Sequence, residues 1–292
     1  VSPFASDVLA GKRILITGGG TGLGRGVAKH LVEHGAELHL WGRRLAVLED
    51  AAASLPGTVH VHTVDVRDAA QVDATMETIW TQHGSLTGVL NNAAGNFIAQ
   101  TKDLSPRAFE AITGTVMHGS FNTTHAAGKR WIADGLPGSV LSTLTTWIWT
   151  GSAYVVPSAM AKAAVHAMTM SLAVEWAKYG IRVNALAPGP IPTDYAWEML
   201  NPTETSSVGA TQADQIPAGR MGTIAELANL TIFLLSDACD YLTGQTIAMD
   251  GGQMLAGPGT FAGLTKLTDA DWQEIRERSK QSSANSKAQR SL

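Results

Sequence analysis

Cysteine is almost missing from this chain: Cys239 is the only one in 292 residues. No internal disulfide can form and no cysteine-based metal centre can be assembled, so a reducing, cytoplasmic setting is expected. Long apolar runs are missing too. None approaches the roughly 20 residues of a membrane span, and the basic-then-apolar layout of a secretory leader is not seen. Nor is there an excess of positive charge, since 21 Lys and Arg stand against 25 Asp and Glu, for a net charge of -4. That balance excludes a basic footprint for nucleic acid and a polybasic membrane anchor. No metal-ligand motif stands out, and no metal is expected.

What is present is a globular composition, 45% hydrophobic and 16% charged, with 30 glycines. Short apolar, β-branched runs alternate with longer helical segments along the chain. Strands are expected at Arg13–Thr17, Glu37–Trp41, Val59–Val64, Gly88–Asn91, Ser139–Ser142, Arg182–Leu186 and Thr246–Met249. Helices are expected near Gly22–His34, Leu45–Ser54, Ala69–His83, Pro106–Ala133, Pro157–Tyr179 and Ile224–Ser236. Crossovers of this length imply an α/β chain with a parallel sheet of about seven strands, covered by helices on both faces. Right-handed crossovers make this the doubly wound Rossmann fold. No linker divides the chain, so residues 1–292 read as one domain. The stretch near 194–220, rich in Thr, Ser, Pro and Ala, reads as a substrate lid. Residues 253–292 read as a flap and tail, with a short helix Asp269–Arg278 and a disordered last dozen residues.

The first strand runs directly into Thr17-Gly18-Gly19-Gly20-Thr21-Gly22-Leu23-Gly24 and then into a helix. A glycine-rich turn in that position lets backbone N–H groups and a helix N-terminus approach a phosphate, so a dinucleotide is expected there. The second strand is followed by Arg43 and Arg44, with no acid to grip ribose hydroxyls. Two arginines suit a 2′-phosphate, and the expected cofactor is NADP(H), with Arg43 the principal contact. Asp65-Val66 ends the third strand, where a carboxylate would meet the adenine amino group. Asn92 and Ala93 end the fourth, where small residues let a flat ring pass. Pro188, Gly189, Ile191 and Thr193 follow the sixth, placed to present backbone groups to the nicotinamide carboxamide.

Thr17–Gly24, Asn91–Gly95, Lys162 within a helix, and Pro188-Gly189 together resemble the short-chain dehydrogenase/reductase family over nearly the whole chain. Asn91–Phe97, Val155–Ala159, Gly189–Ile191, Asn201–Thr203 and Leu267–Ile275 are similar to its 2,4-dienoyl-CoA reductase branch. The resemblance implies an NADPH-dependent reduction of conjugated dienoyl thioesters, by an enzyme built as a homotetramer through its long helices. It also implies catalytic use of Lys162 and Asn96 and contact between Arg67 and coenzyme A. In the wider family a Tyr stands four residues before the Lys and a Ser thirteen before that Tyr. Here those positions hold Ser158 and Thr145, and the family's helical Asn position holds Val116. The branch shares the Ser-for-Tyr exchange and takes its Tyr from fifteen residues before the Lys, where this chain has Trp147.

An indole N–H donates a hydrogen bond but does not release a proton at useful rates. Asn96 and Trp147 could therefore polarise a thioester oxygen, while the proton would come from water or Ser158. A second reading keeps the fold and cofactor but gives the site an imine or ketone. An iminium ion needs no enzyme acid, and Trp147, Trp149, Tyr154 and Trp197 would hold it through their π faces. Phe97 joins the expected substrate wall. A third reading, a nucleotide sensor with little turnover, has no use for Lys162 or for a nicotinamide loop. His118 borders the site by sequence but is expected to pack or face solvent rather than act in catalysis.

Overall fold

The computed structural model describes residues 2–193, 213–256, 264 and 267–288. Seven strands form one sheet: β1 (Arg13–Thr17), β2 (Glu37–Gly42), β3 (Val59–Thr63), β4 (Gly88–Asn91), β5 (Gly138–Thr143), β6 (Ile181–Pro188) and β7 (Thr246–Met249). Their order is β3-β2-β1-β4-β5-β6-β7, and every neighbouring pair is parallel. All seven expected strands are present. The inner strands are apolar on both faces because helices cover both. On one side α1 (Gly22–Glu33), α2 (Leu45–Ala53) and α8 (Ile224–Leu235) bury a core around Ile14, Ile16, Leu38, Leu40 and Leu186. On the other, α3 (Ala69–Gln82), α5 (Gly119–Asp134) and α7 (Val156–Trp176) pack on Leu15, Trp41, Val89, Val140 and Val183. Among the described residues no helix is long and apolar enough to cross a membrane.

The expected single helix over Pro106–Ala133 is interrupted. It splits into α4 (Pro106–Thr113), a π-helical turn (Gly114–His118) and α5. Glycines open the turn and follow it, and glycine is the weakest helix former after proline. Gly119 is also needed for close approach, since a Cβ there would meet Val66 Cγ2 at 2.5 Å. The tail departs from expectation as well. The last helix, α10 (Asp269–Ala288), continues well past Arg278, following the short α9 (Gln253–Ala256). Thr268 and Asp271 cap its start reciprocally: Thr268 N donates to Asp271 Oδ2 at 2.7 Å and Asp271 N to Thr268 Oγ1 at 3.3 Å. Trp272 and Ile275 then bury against the body of the protein, anchoring a helix whose remaining turns are polar. Most of the expected lid, 194–212, lies outside the described residues.

On the α3 face, β2 and β3 present histidines. His39 pairs in register with His60, Trp41 pairs with His62, and His83 caps the C-terminus of α3 above them. Burial, reinforced by the neighbouring imidazoles, pushes His39 down to about 2 and His62 to about 4. Both rings are therefore neutral at neutral pH.

Candidate active site

The turn between β1 and α1 is built for glycine. Gly18 and Gly22 adopt φ of +68° and +53°, which side chains resist. A Cβ on Gly24 would sit 2.3 Å from the Gly18 carbonyl oxygen, so this glycine lets α1 start hard against the turn. A Cβ on Gly22 would meet nothing closer than Thr193 Oγ1 at 3.9 Å and would project into the space between turn and loop. Thr21 occupies the N-cap of α1, yet its side chain makes no capping bond and the first turn carries no acid. The positive end of α1 is thereby left to a ligand. By contrast, Asp68 caps α3, Ser105 caps α4 and a Thr223–Glu226 capping box closes α8.

A cleft of about 300 Å³ opens at this turn. Gly18, Gly20, Thr21, Gly22 and Leu23 form one wall, and Arg43 and Arg44 form the rim beyond β2. Asp65, Val66, Asn92, Ala93 and Thr193 complete it. Twelve of the residues expected to bind cofactor thus meet in one place, drawn from the ends of β1, β2, β3, β4 and β6. Two others serve the scaffold: Gly24 packs, and Thr17 braces β1 to β4. Thr17 Oγ1 accepts from the N–H groups of Asn92 and Ala93, both at 3.0 Å. Asn92 Nδ2 returns the tie by donating to the Thr17 carbonyl at 3.1 Å.

Several side chains are committed otherwise than the sequence suggests. Asp65 is held by Arg67, whose Nε and Nη2 donate to its carboxylate at 2.9 and 2.5 Å. That hydrogen-bonded guanidinium holds the Asp65 carboxyl below the usual carboxylate range. The expected adenine and coenzyme A contacts are therefore partners of each other. Gly189 N donates to the Met249 carbonyl at 3.0 Å, and a Cβ there would collide with Asp250 Cα at 2.7 Å. Its glycine answers to the β7 turn, and its N–H is not open to a carboxamide. The Pro190 carbonyl accepts from Gly222 N at 3.0 Å, and Ile191 places its side chain in the core. Thr193 is different: its Oγ1 is buried without a protein partner among the described residues.

Lys162 sits on α7, only 6% exposed, one turn beyond Ser158 at 4%. Its Nζ donates to the Thr143 carbonyl at the end of β5. Among the described residues no carboxylate pairs with it, and burial pushes the amine down to about 8. Thr145 Oγ1, in the loop after β5, is buried and unpartnered among the described residues. Asn96 Oδ1 accepts from Phe97 N at 2.9 Å, which braces the turn after β4 and directs the amide nitrogen elsewhere. Phe97 packs with Ile112, Val116 and Ala161, so Val116 on the π turn is part of a small apolar floor.

The aromatic residues divide. Trp147 opens the short helix α6 (Trp147–Thr150), which the sequence did not signal, and packs with Ile98, Val155 and Trp272. Tyr154 holds the one non-glycine positive φ among the described residues, +66°, and its ring lies 4.4 Å from that of Trp272. The ring expected to press on substrate instead receives the C-terminal helix. Trp149 meets His166 edge-on and stays half exposed, outside the cleft. Trp197 lies outside the described residues. His118 lines a separate hollow between α5 and α7. Sequence reasoning missed Trp272, whose spacing to Ile275 on an amphipathic turn was the available signal. It also missed Arg276, which donates to Asp103 Oδ2 at 2.8 Å and pins α10 beside the loop after β4.

The family model described as enoyl-(acyl carrier protein) reductase matches residues 18–254. A probable 2,4-dienoyl-CoA reductase of Bacillus subtilis (strain 168) is 41% identical over 249 residues, covering 84% of this chain and 97% of its own. A probable 2,4-dienoyl-CoA reductase 3 of Caenorhabditis elegans is 40% identical over 268 residues, covering 90% and 87%. The crystal structure of a short chain dehydrogenase from Bacillus anthracis superposes with a TM-score of 0.76 at 37% identity, over 85% of this chain and 98% of that one. The family-model match, the sequence identities and the superposition lead to one conclusion. The chain belongs to the short-chain dehydrogenase/reductase family, oxidoreductases that work with a nicotinamide cofactor.

Proposed function

We propose that the protein is an NADP(H)-dependent reductase of the 2,4-dienoyl-CoA type, delivering hydride to a conjugated thioester. The observation that carries this reading is the buried pair Ser158 and Lys162. The amine is present, and no phenol stands four residues before it to serve alcohol–ketone exchange. The relatives named as dienoyl-CoA reductases support it. The residues present fit a dinucleotide: an uncapped helix start, the cradle over Gly22 and the unpartnered Thr193 hydroxyl all face one cleft. Arg43 and Arg44 at its rim favour a 2′-phosphate, through charge-assisted hydrogen bonds.

When bound, the reduced nicotinamide supplies the hydride. Lys162, buried and donating to the Thr143 carbonyl, is the residue that would hold the cofactor's ribose hydroxyls and supply positive charge there. The Asn96 amide nitrogen polarises the thioester oxygen as charge moves onto it. Thr145 offers its buried hydroxyl to the same region. The proton reaches carbon from water or through Ser158, because Trp147 has none to give. A second reading, reduction of an imine or ketone, is favoured by the aromatic cluster of Trp147, Tyr154 and Trp272, whose π faces suit a cation. Exposed Phe121, Met160 and Val174 on α5 and α7 support subunit pairing through those helices, the homotetramer of the family resemblance.

The test is NADPH consumption by the protein and by Trp147→Tyr, each offered a 2,4-dienoyl-CoA and a cyclic imine. The dienoyl reading expects the thioester to turn over in both, faster by about 10²–10⁴ in the tyrosine variant. Imine turnover alone in the parent, with no thioester gain in the variant, would sink it. Arg43→Ala should weaken NADPH by about tenfold to a hundredfold while sparing NADH, the effect of losing one charged hydrogen bond.

A further inference from the structure

At the amino-terminal end of β2 and β3, opposite the cofactor cleft, three imidazoles gather near one carboxylate. Glu37 opens β2, and its Oε1 lies 3.2 Å from His60 Nε2 and 3.8 Å from His39 Nε2. A ring nitrogen of His83, at the end of α3, completes the group. The donor atoms of Glu37, His60 and His83 all lie within 4.8 Å of one another. The rings of His60 and His83 are 4.1 Å apart, and those of His39 and His60 are stacked at 4.8 Å. We propose that Glu37, His39, His60 and His83 form a binding site for a divalent transition metal of the zinc type.

The donor set suits such an ion. Three imidazoles and one carboxylate are borderline ligands that favour zinc over magnesium or calcium. Bonds of about 2.0–2.1 Å in a tetrahedron place neighbouring donors roughly 3.3 Å apart. The 3.2 and 3.8 Å separations already approach that spacing, and His83, on a helix cap, needs the largest adjustment. His39 provides an independent sign of a ligand. Its side chain is fully buried, and among the described residues Nε2 has no hydrogen-bond partner. Its other nitrogen, Nδ1, is 3.0 Å from His62 Nε2. If Nδ1–H donates there, Nε2 carries a lone pair aimed toward Glu37, the tautomer a metal requires. Arg13 donates to both oxygens of Glu37, at 3.0 and 3.1 Å, and so orients the carboxylate in the way outer-shell partners orient ligands. His62 and Arg13 thus act as positioning residues.

The experiment is titration of untagged, chelator-stripped, full-length protein with ZnCl₂ by calorimetry, with Co²⁺ absorption as a report on tetrahedral geometry. One ion per chain is expected, with Kd at or below about 1 µM. His60→Ala and His83→Ala should each weaken binding by at least about tenfold, whereas His125→Ala, on α5 and outside the cluster, should not. Failure to take up one equivalent, or full affinity in either variant, overturns the site. If His60→Ala is misfolded by circular dichroism, His83→Ala decides, because its side chain lies at a helix end.

Discussion

The carboxyl edge of the sheet has two halves that treat their polar groups in opposite ways. At the start of α1, after β1, backbone donors that a side-chain cap could have satisfied are left available. Helix α1 has no side-chain cap and no acid in its first turn, although α3, beginning at the same edge, is capped by Asp68 through two backbone N–H groups. At β4–β6 the space is filled from within. Tyr154 packs against Trp272 at a tilt, Trp147 joins them, and Arg276 fastens α10 to Asp103. The first half is shaped by omission and the second by addition. Omission can be read from a glycine pattern, whereas addition depends on a helix arriving from more than a hundred residues away.

The sharpest way to probe the contrast is Lys162→Met, at the boundary between the halves. Hydride transfer should fall by about 10²–10⁴-fold. Stability should move the other way. Burial holds the amine down to about 8, below the ~10.4 of an exposed lysine. The unfolded chain therefore keeps its proton over the range between those values. The cost of burying the charged amine is full below pH 8 and fades as pH rises toward 10.4. The apo methionine variant should exceed the parent by up to about 3 kcal/mol at pH 7, and the two should converge near pH 10. Denaturant melts of both proteins across that range would show it, and a less stable variant at pH 7 would contradict the assignment.

On the filled side, Trp272→Ala should lower stability by about 3–5 kcal/mol, the usual loss for a buried indole. In the fraction that remains folded, KM for the reducible substrate should rise while NADPH affinity holds. Equal loss of both would mean that the two halves are not separable. The smallest effect separates capped from uncapped helices. Asp68→Ala should cost about 1 kcal/mol of apo stability, whereas Thr21→Ala should stay within about 0.5 kcal/mol. Paired chemical denaturation would measure both, and equal losses would show that Thr21 caps α1 after all.

These contrasts also explain what was legible in the chain. The seven strands could be read because β-branched apolar runs between glycine and polar punctuation have few other uses. The cleft could be read because Gly18 and Gly22 hold a positive φ and Gly24 a close approach that glycine alone permits. The break in Pro106–Ala133 was hidden, since a π turn inserts without proline or a change of apolar period. The length of α10 was hidden because its apolar anchors, Trp272 and Ile275, lie in its first two turns, and its polar remainder reads as solvated tail. Asp65 lines the cleft, but its pairing with Arg67 is a matter of side-chain geometry two residues apart. The histidine cluster left a trace that was overlooked: Val59-His60-Val61-His62 alternates with period two, which puts both imidazoles on one face.

The bare start of α1 has a consequence beyond recognition. A helix that lacks a cap is completed by whatever anion docks there, so the ligand becomes the final piece of the fold. A dinucleotide at a hundred times its Kd adds about 2.7 kcal/mol to the native state by mass action alone. The same chain is thus a sturdier protein where dinucleotide is plentiful than in dilute buffer, and its melting temperature reports on the cofactor pool around it.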